Sequence, residues 1–178
     1  AIAVSPGRRF FRRVVELDAT REVAAAQLAM TADNGFEVWV NGERVGSGED
    51  ASKMFRFDIA RRLKPGTNLI AVAAFNAHEE PNPASLIGVL ALRFRDGGTL
   101  EVNTDARWES AVTAPDHWQD DATTTGWGAA MEVGSLGLEP FPVPEQNRPP
   151  ACVFPHFGAI TNVLGQMGVP PDFEADPH

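Results

Sequence analysis

Phe36-Glu37-Val38-Trp39-Val40-Asn41-Gly42-Glu43-Arg44-Val45 (FEVWVNGERV) decides the fold. Successive side chains of a strand point to opposite faces, so Phe36, Val38 and Val40 share one apolar face while Glu37 and Trp39 point the other way. Asn41-Gly42 then breaks the pattern with the two residue types that best tolerate the positive φ angles of a type I′ turn. With strand-forming residues on both sides, the decapeptide predicts a β-hairpin whose Phe36, Val38 and Val40 enter a core.

Short strand signals continue in both directions. Arg9–Leu17 places Phe11, Val15 and Leu17 on one face, with Arg13 among them. Val23–Thr31 sets Ala26, Leu28 and Met30 opposite Gln27 and Thr31. Gly46–Lys53 reads as a loop, Met54–Ile59 as a short strand, and Arg61–Leu63 as one helical turn before Lys64-Pro65-Gly66. Leu69–Asn76 (LIAVAAFN) is apolar on both faces, as a central strand requires. HEEPNP (78–83) is a loop, Ser85–Arg95 a long strand, and Asp96-Gly97-Gly98 turns it into Leu100–Thr104. Weaker signals lie at Trp108 and Gly128–Val133. Strands at this spacing, with no amphipathic helix, predict an all-β sandwich or jelly roll.

The bulk properties narrow the partners. A net charge of −9 opposes the phosphate backbone, so nucleic acid is not an expected ligand. No apolar run approaches the roughly 20 residues that a spanning helix needs. No basic segment followed by an apolar run opens the sequence, so the chain is expected either to be cytoplasmic or to have lost a secretion signal already. Cys152, the one cysteine, can form no internal disulfide and reads as a small apolar residue.

Composition shifts after about Leu136. Nine of the 14 prolines fall in the last 42 residues, and proline excludes helix interiors and central strands. Two regions follow: a sandwich over residues 1–136 and an extended, proline-rich arm over 137–178, with one short helix expected near Ile160–Met167. The arm still carries Phe141, Val143, Phe154, Phe157, Ile160 and Leu164. That is too apolar for a solvated linker, so it is expected to pack on its own sandwich or on a partner.

The stretches FRRVVEL, AQLAMTADNGFEVWVNGERVG and FDIARRLKPGTNLIAV form one sequence pattern, continued by PASLIGVLALRF, DGGTLEV, TDARWES and Gly126-Trp127. Over roughly residues 10–135 this pattern resembles the galactose-binding-like jelly-roll modules attached to bacterial α-L-rhamnosidases and family 2 glycoside hydrolases. The resemblance implies a galactose-binding-like β-sandwich, an extracytoplasmic location (periplasmic or secreted) and a non-catalytic, carbohydrate-binding-like role beside an enzyme. It does not reach the arm.

A sugar site needs an aromatic face and a few planar polar groups for the hydroxyls. Trp39 and Trp118 are the aromatic candidates, whereas Trp108 and Trp127 read as packing at the sandwich edge. Asp33, Asn34, Asn76 and His78 are the polar candidates, with Glu79 and Asn82 nearby in the same loops. Asp33 and Asn34 also suit a turn for backbone reasons alone. Catalysis has no support. Glu79 and Glu80 are sequence neighbours rather than carboxylates facing across a cleft, and His78, His117, His156 and His178 have no metal-ligand spacing. No cofactor is expected. A structural calcium ion is the one alternative, through Glu49, Asp50, Asp120 and Asp121. Arg8, Arg9, Arg12 and Arg13 read as a solvated strand face, or as a patch for an acidic partner.

Two functions stay open on these grounds. One is carbohydrate binding. The other is an accessory or scaffold subunit of a larger extracytoplasmic assembly, using the sandwich and the arm residues Phe141, Phe154, Phe157 and Leu164 to hold a protein partner.

Overall fold

The computed structural model describes residues 5–77, 79–80, 85–132, 160–161 and 166–167. His78 and the expected arm contacts Phe141, Phe154, Phe157 and Leu164 lie outside the described residues, as does nearly all of the expected arm.

The diagnostic decapeptide is a hairpin: β3 (Gly35–Val40) pairs antiparallel with β4 (Glu43–Gly48). Asn41 (φ 51°) and Gly42 (φ 83°) both occupy the positive region that its turn demands. Phe36, Val38 and Val40 are fully buried. β4 runs further than the sequence suggested. After a bulge opposite Val38 and Trp39, Gly46–Gly48 pairs with Val38–Phe36, where a loop was expected. Lack of side chains makes this possible. A Cβ on Gly48 would come within 2.5 Å of the Phe55 ring and 2.6 Å of the Phe36 ring, so glycine lets both aromatics lie on the backbone.

Two sheets face each other. The six-stranded sheet has the order β10-β9-β1-β6-β3-β4, built from β1 (Gly7–Leu17), β6 (Gly66–Asn76), β9 (Glu109–Ala111), β10 (Gly128–Ala129) and the hairpin. The four-stranded sheet has the order β5-β2-β7-β8, from β2 (Val23–Ala32), β5 (Phe55–Asp58), β7 (Leu86–Phe94) and β8 (Thr99–Asn103). One core fills the gap, with Phe11, Val15, Ile70, Val72, Phe36 and Val38 from the first sheet meeting Leu28, Met30, Leu90 and Leu92 from the second. Full burial of a side chain of this size stabilises the fold by roughly 1.5–3 kcal/mol. β6 lies between β1 and β3 and is buried on both faces, as its unbroken apolar run requires.

The expected helical turn is a 3₁₀ turn at Ala60–Arg62. It leads to Lys64-Pro65-Gly66 and then Asn68, which is 0% exposed. The Asn68 amide donates to the carbonyls of Lys64 (2.7 Å) and Gly66 (2.9 Å), and its Oδ1 accepts from the Lys64 N–H (2.8 Å) and Asn41 Nδ2 (2.9 Å). One buried amide therefore ties the turn before β6 to the tip of the hairpin.

Of the segment expected as a short helix near Ile160–Met167, the described ends are strands: β11 (Ile160–Thr161) pairs antiparallel with β12 (Gln166–Met167). Residues 162–165 lie outside the described residues. Among the described residues, no helix is long and apolar enough to cross a membrane.

Two surface ion pairs contribute to the acid response. The Asp96 carboxyl, gripped by the Arg21 guanidinium and by the Gly98 N–H, is held at about 2 against an ordinary 3.8. Asp50 is pulled to about 2 by Lys53 and then by Ser52. A folded-state value below the unfolded one contributes stability that is complete above 3.8 and disappears as pH falls through about 2. Melting temperatures should therefore be nearly flat above pH ~4 and fall between pH ~4 and ~2. The double variant Asp50→Asn/Asp96→Asn should show a shallower fall; an unchanged slope would refute this account.

Candidate functional site

Register fixes which loops meet. Gly7 pairs with Asn76, Gly35 with Phe75, Gly48 with Phe36, and Leu86 with Ala32. The β2–β3 turn, the β4–β5 loop and the β6–β7 loop thus gather at one end of the sandwich. Asp33 and Asn34 form the turn there, joined by a cis peptide bond. The Asp33 N–H donates to the Ser85 carbonyl (3.0 Å) and the Asn34 N–H to the Phe75 carbonyl (2.6 Å). Asn34 Oδ1 accepts from the Ala77 N–H (2.7 Å). Because Phe75 belongs to the larger sheet and Ser85 leads into the smaller one, the turn clasps both. Asp33 and Asn34 are half-buried beside Asn76, which is 5% exposed. Three of the four polar candidates therefore converge, and the fourth, His78, lies outside the described residues.

The aromatic candidates sit elsewhere. The chain between β9 and β10 crosses the outer face of the larger sheet and lays Trp118 on Ala71 and Ala73. Trp118, 7% exposed, meets Phe10 (5.0 Å between ring centroids) and Trp39 (5.3 Å) edge to face, and Trp127 (6.2 Å) at a tilt. Trp118 is thus the buried centre of an aromatic layer, with no free ring face to offer. Trp39 points away from the core, as its alternation predicted, but is half-buried in the same layer. It pairs with Ala71, four residues along β6 from the Phe75 that holds the Asn34 turn. At about 3.3 Å per residue that is about 13 Å, too far for one sugar ring to meet both. Trp108, expected at the sandwich edge, is core, and its Nε1 donates to the Asn103 carbonyl (2.9 Å).

Arg12 corrects the reading of the basic cluster as a solvated face. The crossing chain covers it. Its guanidinium binds Glu109 (2.7 Å) and Thr124 Oγ1 (2.7 Å) and lies 4.4 Å from the Trp127 ring centre. Arg12 pins that chain to β1, a role that only the fold reveals. Arg13 is also half-buried and donates to the Arg107 carbonyl (3.0 Å). Among the described residues, no three His, Cys, Asp or Glu side chains come together as a metal-binding group. Asp50 and Asp121 spend carboxylate oxygens on Ser52 and Thr123 in their own turns.

No family model matches the sequence. An α-L-rhamnosidase of Streptomyces avermitilis is 33% identical over 141 residues, covering 75% of this chain and 13% of that enzyme. A β-galactosidase of an Arthrobacter species is 29% identical over 147 residues, covering 72% of this chain and 14% of that enzyme. Among solved structures, the Pleurotus ostreatus lectin in complex with GalNAc superimposes with a TM-score of 0.69 at 29% identity, over 79% of this chain and 40% of the lectin. This is a galactose-binding-like jelly roll. The galactose-binding-like module spans about an eighth of the length of the curated enzymes it matches. Its two candidate regions, a polar loop end and an aromatic layer, meet at Phe75, which packs against the layer and whose carbonyl accepts the Asn34 N–H.

Proposed function

We propose that the chain is a non-catalytic carbohydrate-binding module that takes its ligand at the loop end formed by Asp33 and Asn34, with the buried Asn76 behind them. The clasp carries this reading. A turn whose main chain is bonded to both sheets presents the Asp33 carboxylate and the Asn34 carboxamide from a backbone ordered before any ligand arrives, and prepaid ordering is what a small polar ligand needs. Carboxylates accept, and carboxamides both accept and donate, which matches the alternating demands of sugar hydroxyls. Similarity to a lectin bound to GalNAc and to a rhamnosidase solved with L-rhamnose supports the same ligand class. Such a module works where glycans are met, outside the cytoplasm and beside an enzyme that acts on them.

Calorimetric titration of the full chain with L-rhamnose, GalNAc and galactose tests the proposal. At least one should bind, and Asp33→Ala should weaken binding about 10- to 100-fold, the equivalent of one charged hydrogen bond of about 1.5–3 kcal/mol. Trp39→Phe should leave affinity unchanged. Absence of binding across these sugars and a wider glycan array would remove the proposal, as would binding that Trp39 controls and Asp33 does not.

A further inference from the structure

The smaller sheet has an outer face that should be wet and is not. On β7, Leu90 and Leu92 point into the core, so Ile87, Val89 and Ala91 point outward; they are 1%, 3% and 2% exposed. A lateral row crosses this face. Ala29 pairs with Arg56 on β5 and with Val89 on β7, and Val89 pairs with Asn103 on β8. Side-chain atoms of Arg56, Asn103 and the neighbouring Glu101 are shielded from solvent. Three strand spacings of about 4.8 Å make the covered width about 14 Å. Among the described side chains, Ala51 and Met54 pack on Ala29, Ile87 and Val89, and Thr31 Oγ1 donates to the Asp50 carbonyl (3.3 Å). That loop covers one corner. Beyond it, β11 lies against β7.

We propose that this face is the seat of the chain's own C-terminal strands β11 and β12, so that the arm folds back on its own module instead of projecting to a partner. Reach is no obstacle. The 27 residues between Glu132 and Ile160 span up to about 90 Å at ~3.3 Å each, several times the width of the sheet. The chemistry fits as well. Apolar Ile87, Val89, Ala91 and Ala29, rimmed by Arg56, Glu101 and Asn103, form a surface on which an extended segment rich in apolar residues can bury side chains and still find polar partners for its backbone.

Two full-length variants test the seat. In a Cys152→Ala background, Glu101→Cys together with Thr161→Cys should be bridged by a short bismaleimide within one chain, seen as a linked peptide pair in protein that still migrates as a monomer. A link formed only between two chains, or no link, would overturn the proposal. Val89→Lys puts a charge beneath the segment. Proteolysis within residues 137–178 should then speed up at least about tenfold while the β-sheet circular dichroism is retained. Equal cleavage rates in a folded variant would also overturn it, and the cross-link decides alone if Val89→Lys fails to fold.

Discussion

Trp118→Ala should destabilise the module by about 3–5 kcal/mol, the cost of emptying a site filled by a large aromatic. The ring rests on Ala71 and Ala73 and touches Phe10, Trp39 and Trp127, so its removal opens a cavity whose floor is the central strand β6. That floor cannot rise to close the gap, because Ile70 and Val72 on its other face are held in the core. Chemical denaturation should show a lower midpoint with little change in slope. Sugar affinity measured well below that midpoint should not change, since Trp118 rests on Ala71 and Ala73 and makes no bond to the turn at Asp33 and Asn34, which lies past Phe75, about 7 Å further along β6 from Ala73. A loss of affinity in a still-folded Trp118→Ala protein would place the ligand on the aromatic layer instead.

The second large effect concerns Asn68. Removing its carboxamide by Asn68→Ala takes the partner from the Lys64 carbonyl, the Gly66 carbonyl and the Lys64 N–H at once, and leaves Asn41 Nδ2 with only the Arg62 carbonyl. Each buried polar group left without a partner costs about 1–3 kcal/mol, and allowing for local relaxation the sum should reach at least about 3 kcal/mol. Asn68→Asp is the informative companion. It keeps the shape but turns acceptor oxygens toward two carbonyls, so it should cost as much as alanine. Thermal unfolding of both variants checks this; an Asp variant close to wild type would mean that shape, not hydrogen bonding, fills the site.

The sandwich was legible because its strands obey a period of two and its turns carry their own chemistry. FEVWVNGERV, LIAVAAFN and KPG each specify a local structure whose neighbours agree with it. The failures have physical causes too. Gly46–Gly48 read as a loop because glycine and serine mark turns, yet here small residues were needed to admit the Phe55 and Phe36 rings. Arg12 read as solvated because nothing in a β1 tetra-arginine segment announces that a chain a hundred residues later will cover it. Trp118 read as a free ring face because it sits in a loop, although that loop roofs the sheet; Trp127, read as edge packing, belongs to the same roof. At the candidate site, the residue types Asp33, Asn34 and Asn76 were visible, but their convergence needed the register of β6 against β3.

The clasp at the loop end has an evolutionary corollary. Two of its bonds join main chain to main chain, from Asp33 to Ser85 and from Asn34 to Phe75. A side-chain exchange at position 33 leaves both of those bonds available. A lineage carrying this scaffold is free to vary its fingertip chemistry, trying new specificities one substitution at a time, while the grip that presents them stays the same.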